Sequence, residues 1–443
     1  RDLHSFPTRR SSDLRAFAPK PLVRGDRSLV ERVASRDILD RIAVETAYQQ
    51  GDQALRRSLL QAAVQKPEAA PLGLLRLGVF GLDLELGKLA RRGLAQADSE
   101  GAIDLITEAL RVPMEAGERD ALIAALERFG STSWRARTAA VIHRGLSARS
   151  GALDVESWSK RLGGASYQPP PRDPAALGSL LDQKEELSEK NPKDWAAQLE
   201  VAEAALALAV SPETARSLSA DRRNGARFAA AMFEDVLEQA QKAEKRGASG
   251  WRVDAVVALA SHYLGRHEAA HQRAERAVRT LAEGAESWNA MAVLALFAAT
   301  RQDAILKAVR EKKEWPPQWL ADVHATYSVL ARHPLCTDEQ VVAHYDFLVS
   351  LGAFGPAKAA LEEGLKRFPE SWGLHERLRG SVLWARGVNG LEAAYEALLR
   401  REPPTPNLPW FAGLASFVAA EAHRRAGDFR SEEHTSELQS PNT

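Results

Sequence analysis

The chain has a single cysteine, Cys336, in 443 residues. That excludes an intrachain disulfide and a thiolate metal cluster, and a lone cysteine of this kind reads as a small buried apolar residue. Excess charge is missing as well: Lys plus Arg and Asp plus Glu each total 59. No global field therefore selects nucleic acid or an acidic surface, and no nucleic-acid partner is expected. Long hydrophobic runs are absent too. The best candidate, "VAEAALALAV" at 201–210, is interrupted by Glu203 and preceded by Glu200, and it reads as one side of an ordinary helix rather than a membrane span. No glycine-rich phosphate loop occurs in a strand–helix context, so no nucleotide site or other cofactor is implied.

Runs of Val, Ile and Thr with period two are scarce, whereas Leu and Ala are abundant, and this favours helix over strand. The 29 Gly and 22 Pro are enough to punctuate many short helices. Those helices recur at a fixed spacing. Ala304 and Ala308 stand 34 residues after Ala270 and Ala274, Pro403 stands 34 after Pro369, and Tyr395 holds the same offset from Leu361. Such periods signal an array in which each unit buries its apolar side against its neighbours.

The pattern resembles the tetratricopeptide repeat, a 34-residue helix–turn–helix family. Trp288 and Trp372 resemble its early aromatic, Gly265 and Gly352 its turn glycine, and Ala270, Ala277, Ala304 and Ala357 its small crossing residues. Small side chains let two antiparallel helices approach closely, and proline ends the second helix. The clearest units lie at 251–284, 285–318, 338–371 and 372–405, with a fifth at 193–246 carrying "SPETARSLSADRRNG" between its helices. The resemblance implies an all-α superhelical solenoid. It also implies a concave groove that holds a protein or peptide partner, and no catalysis. The groove positions are Arg252, His262, Glu286, Asn289 and Asp346.

Upstream the signal weakens. "VETAYQQGDQALRRSLLQAAVQKP" (44–67) offers a turn at Gly51 with Leu55, Leu59 and Ala62 behind it, and "GAIDLITEALRVP" (101–113) offers Ala102, Ile106 and Ala109 at helical spacing. A Pro/Gly-rich linker at 163–174 is expected to divide an N-terminal helical block, 15–162, from the repeat array, 175–429. The two ends read differently. "RSEEHTSELQS" (430–440) and "HSFPTRRSSDL" (4–14) resemble translated frames of short-read sequencing adapters. Residues 1–14 and 430–443 are therefore set aside as artefact, and the native stretch is expected to be a fragment open at both ends.

One motif could carry chemistry. "HEAAH" places His267 and His271 four apart on a helix, the spacing of two zinc ligands, with Glu268 as general base for water. This is the zincin pattern, and it gives an alternative reading as a zinc-dependent peptidase. Against it, the motif sits inside the best repeat, Arg273 is charged where zincin helices usually carry an apolar residue, and no third-ligand pattern follows. "RGD" at 24–26 is short enough to be accidental, and the basic "QKAEKRG" at 241–247 reads as a solvated helix end. Trp315 and Trp319, around Pro316-Pro317, could form an aromatic binding edge or plug the gap between hairpins.

Overall fold

The computed structural model describes residues 28–69, 71–163, 173–221, 223–281, 288–400 and 407–426. Among these every element is helical and no strand occurs, so the all-α expectation holds. The adapter-like ends, the "RGD" tripeptide and Glu286 lie outside the described residues. The chain divides into two units, 1–140 and 141–443. The division precedes the expected linker because Ile142, Leu153 and Trp158 are buried in a core shared with helices as far on as Leu374.

In the first unit, α1 (Leu29–Arg32), α2 (Ile38–Gln50), α3 (Gln53–Gln65), α4 (Leu72–Val79), α5 (Leu84–Gln96), α6 (Ala102–Ala109) and α7 (Ala116–Phe129) succeed one another, followed by the start of α8 (Trp134–Ser147). Asp37, Asp52 and Asp83 cap α2, α3 and α5 by accepting first-turn amides. The expected turn at Gly51 separates α2 from α3. Leu59, Ala102, Ile106 and Ala109 are fully buried, while Leu55 and Ala62 are half-buried. Within this core Arg91 makes a forked pair with Glu118, both contacts at 3.2 Å.

The second unit continues with α9 (Val155–Gly163), α10 (Pro174–Lys190), α11 (Trp195–Ala209), α12 (Pro212–Ala220) and α13 (Gly225–Lys245). The stretch inserted in the 193–246 unit forms the short α12, while α11 and α13 pack together. Next come α14 (Trp251–Tyr263) and α15 (His267–Thr280), the expected 251–284 hairpin. Ala270, Ala274 and Ala277 of α15 are fully buried. The turn between these helices needs Gly265, whose φ is +72°. The Arg266 amide reaches back to the Ser261 carbonyl at 2.9 Å, the six-to-one closure of a left-handed helix end. The hairpin of α18 (Asp338–Ser350) and α19 (Phe354–Arg367) repeats it: Gly352 has φ +72° and the Ala353 amide bonds the Leu348 carbonyl at 2.9 Å.

Of the two other units, 285–318 departs from expectation and 372–405 meets it. Residues 285–318 do not form a hairpin: α16 (Trp288–Arg310) is a single helix, about 34 Å long, that carries both Trp288 and Ala304. The sequence "AATRQDAI" supplies no glycine or proline where the turn was expected, and Arg301 and Ile305 are buried, so the helix runs on. Its partner is α17 (Pro317–Arg332), reached through Lys312 at φ +52° and the Pro316-Pro317 pair. Conversely, α20 (Trp372–Leu399) is a hairpin despite its length. Gly387 leaves helical geometry at φ +67°, ψ −165°, and the His375 ring lies 3.1 Å from the Tyr395 hydroxyl. In one straight helix those residues would stand about 30 Å apart. The last helix among the described residues, α21 (Leu408–Ala426), packs Phe411, Ala415 and Ala419 against this hairpin.

The helices α11 and α14 are buried nearly all round. The run at 201–210 is therefore not one apolar side of a helix. Ala202, Ala204, Ala205, Leu206, Ala207 and Ala209 cover the whole circumference of α11, as a helix that is apolar on every face requires.

Candidate functional site

Helices buried all round present no open face, and this changes the expected groove. Asn289 is 0 % exposed, inside the core, and cannot meet a partner. Arg252 is committed to a forked ion pair with Glu203 of α11, at 2.9 and 2.5 Å. His262 is half-buried beside Tyr263 and His267, and burial pushes its pKa down. Asp346 accepts a forked pair from Arg377 at 3.1 and 2.7 Å, an exposed link between α18 and α20. Arg252 and Asp346 thus each hold one helix to another.

The "HEAAH" residues sit in separate surroundings. His267 is exposed, with its ring 6.2 Å from that of His262. His271 lies against the Phe297 ring, with Nδ1 2.9 Å from the Thr300 hydroxyl. Thr300 donates its own proton to the Phe297 carbonyl, so the imidazole donates to Thr300 and keeps its lone pair on Nε2. Burial, with Arg301 nearby, holds the His271 pKa down and the ring neutral. Glu268 is exposed. Among the described residues no group of three His, Cys, Asp or Glu side chains is placed to hold a metal ion. The zinc reading has two imidazoles and no third ligand there. Trp315 is buried and Trp319 half-buried under the Arg301 guanidinium, 5.1 Å above its ring, so the pair fills an interhelical gap.

The structure instead forms a cleft of about 490 Å³ between the C-terminal half of α17, α18 and α19. The local sequence explains its shape. Thr337 and Gln340 make a reciprocal capping box that fixes the start of α18. Gly364 lets α19 approach closely, since a side-chain carbon there would come within 2.5 Å of Val341. Arg367 of α19 donates to the carbonyls of Ala331, His333 and Pro334, satisfying the end of α17. The walls are apolar, with Leu330, Val341, Ala360 and Phe368, while Arg332 and Glu363 stand exposed at the rim.

Two histidines face each other in the cleft: Nδ1 of His324 lies 3.2 Å from Nε2 of His344. Tyr327 stacks on His344 at 4.6 Å between centroids, and its hydroxyl donates to Gln302 at 3.0 Å. One ring donates and the other accepts, and the accepting ring must be neutral. Burial enforces that state, pushing His344 down to about 3 and lowering His324 as well. Burial also pushes Tyr327 up to about 12 and the Cys336 thiol up to about 11. At neutral pH His324, His344, Tyr327 and Cys336 therefore offer the cleft uncharged polar groups on an apolar base, with the charges of Arg332, Glu363 and Arg367 also in its lining. Cys336 is a protonated thiol rather than a nucleophile.

Such a lining suits recognition of an apolar side chain with a polar edge. Sequence reading missed it because His324 and His344 sit 20 residues apart on different helices. The recurrence of His near Tyr in "HATY" and "AHYD", on consecutive helices, was the available signal. No known protein family, curated protein or solved structure matches the chain.

Proposed function

We propose that this chain is a non-catalytic interaction scaffold, an α-solenoid of tetratricopeptide-like hairpins that holds a peptide segment of a partner protein. The repeated Gly265, Gly352 and Gly387 turns support the repeat reading, as does packing in which helices mostly meet the next one or two along the chain. The observation that carries the binding reading is the half-open, largely apolar cleft of α17–α19, with neutral histidines inside and charged residues at its rim. Its volume takes one or two large side chains. Its histidine and tyrosine edges offer hydrogen bonds, and the rim charges of Arg332 and Glu363 fix the direction of an incoming backbone. The cleft replaces the concave groove as the contact site.

The test is selection of random displayed peptides on the full chain, followed by titration of a labelled winner. Ala360→Trp fills the cleft from a half-exposed position. It should weaken binding at least tenfold, about 1.4 kcal/mol, with the thermal midpoint unchanged. Winners that bind this variant as tightly as the parent would place recognition elsewhere and defeat the proposal.

A further inference from the structure

The other end of α17 is occupied by a distant stretch of the same chain. Asp322, only 2 % exposed, accepts three hydrogen bonds on one carboxylate oxygen: from the Ser150 hydroxyl at 2.7 Å, the Gly151 amide at 3.0 Å and the Ala152 amide at 3.2 Å. The Gln318 side-chain amide donates to the Arg149 carbonyl at 2.6 Å. Gly145 has no side chain because there is no room for one: a carbon there would lie 2.7 Å from the Pro317 carbonyl and 2.8 Å from Leu320. Leu153 and Trp158 then enter the core at 5 % and 4 % exposure. Helices α10 to α16 intervene in sequence between the two contacting stretches.

The chemistry of this contact is that of a receptor reading a peptide. Side chains of α17 address main-chain groups of the incoming segment, a close approach demands a small residue, and a tryptophan anchors the following helix. A carboxylate so deeply placed also requires an occupant rich in N–H and O–H donors, since an unsatisfied buried charge is strongly disfavoured.

We propose that the first half of α17 is a helix-docking surface held in cis by residues 145–158. The partner it takes is a protein segment with the same features: a serine-containing turn that aims several donors at Asp322, followed by a short amphipathic helix bearing tryptophan. Segment 145–158 acts as the competitor that the partner displaces. The surface is separate from the α17–α19 cleft, and neither reading needs the other.

The experiment uses the full chain and a fluorescein-labelled peptide of residues 145–163. Ser150→Asp sets a negative charge beside Asp322 and loosens the cis segment. The wild-type chain should bind the peptide weakly, and the Ser150→Asp chain at least tenfold more tightly and saturably. Adding Asp322→Ala should remove that gain, and a peptide with alanine for its tryptophan should not bind. Folded Ser150→Asp protein whose peptide affinity stays at the wild-type level overturns the proposal. If the variant does not fold, hydrogen exchange of the wild-type chain decides. Gly151 and Ala152 amides that exchange by local opening, faster than those of α14, support displacement; exchange only with global unfolding refutes it.

Discussion

Acid should unfold the second unit through its buried histidines, by an amount the structure allows to be worked out. In the folded chain His344 titrates near 3 and His333 near 4, against 6.5 when unfolded. Burial is the main cause for both, helped by the facing His324 and by Arg367 respectively. The folded state thus binds these protons more weakly than the unfolded state. Their contribution is complete above about pH 6.5 and is lost as pH falls through 6.5 towards 3 or 4. At pH 5 each group costs about 2 kcal/mol, so the pair removes about 4 kcal/mol from a stability of typically 5–15 kcal/mol. The assay is urea unfolding followed by circular dichroism at pH 7.5 and pH 5, on the wild type and on His344→Phe, which keeps an aromatic ring against Tyr327. Surface carboxylates titrate alike in both proteins and cancel in the comparison. The variant should lose about 2 kcal/mol less than wild type between the two pH values. Equal losses would show that His344 is not held neutral by its surroundings.

Two further outcomes follow from local geometry. Lys312 closes α16 in the left-handed region at φ +52°, with the Lys313 amide on the Ala308 carbonyl at 2.8 Å. Lys312→Gly should therefore stabilise the chain by about 1 kcal/mol in urea unfolding, and a destabilised variant would contradict that conformation. Elemental analysis of purified protein should find no stoichiometric zinc, with His271→Ala leaving the metal content unchanged. One equivalent of zinc that disappears in His271→Ala would revive the peptidase reading.

Helix content, the turns at Gly265 and Gly352, and burial of Ala270 and Ala274 were legible in the sequence, because spacing and glycine chemistry act locally. The long helix α16 was not. Its alanine spacing copies that of a hairpin, and only the missing turn residue, together with the burial of Arg301 and Ile305, shows that it continues. The burial of Asn289, expected in a groove, escaped the sequence for a related reason. The tetratricopeptide pattern specifies which residues cross between helices, but it does not say whether the other side of a first helix is covered. Helices as apolar all round as α11 and α14 carry that information in their composition, and it outweighs the family expectation. The cleft and the Ser150–Asp322 contact depend on partners 20 and 172 residues apart, which one sequence does not connect.

Arg367 has a consequence for how the cleft responds to an occupant. Its guanidinium rivets the last carbonyls of α17 to α19, where a cation also meets the negative end of the helix dipole. Two of the three walls are thereby fixed before anything arrives. An entering side chain finds a recess already shaped and spends little of its contact energy on ordering the protein. Arg367 also lines the recess, so cutting that rivet would both loosen two walls and strip part of the surface that a guest meets.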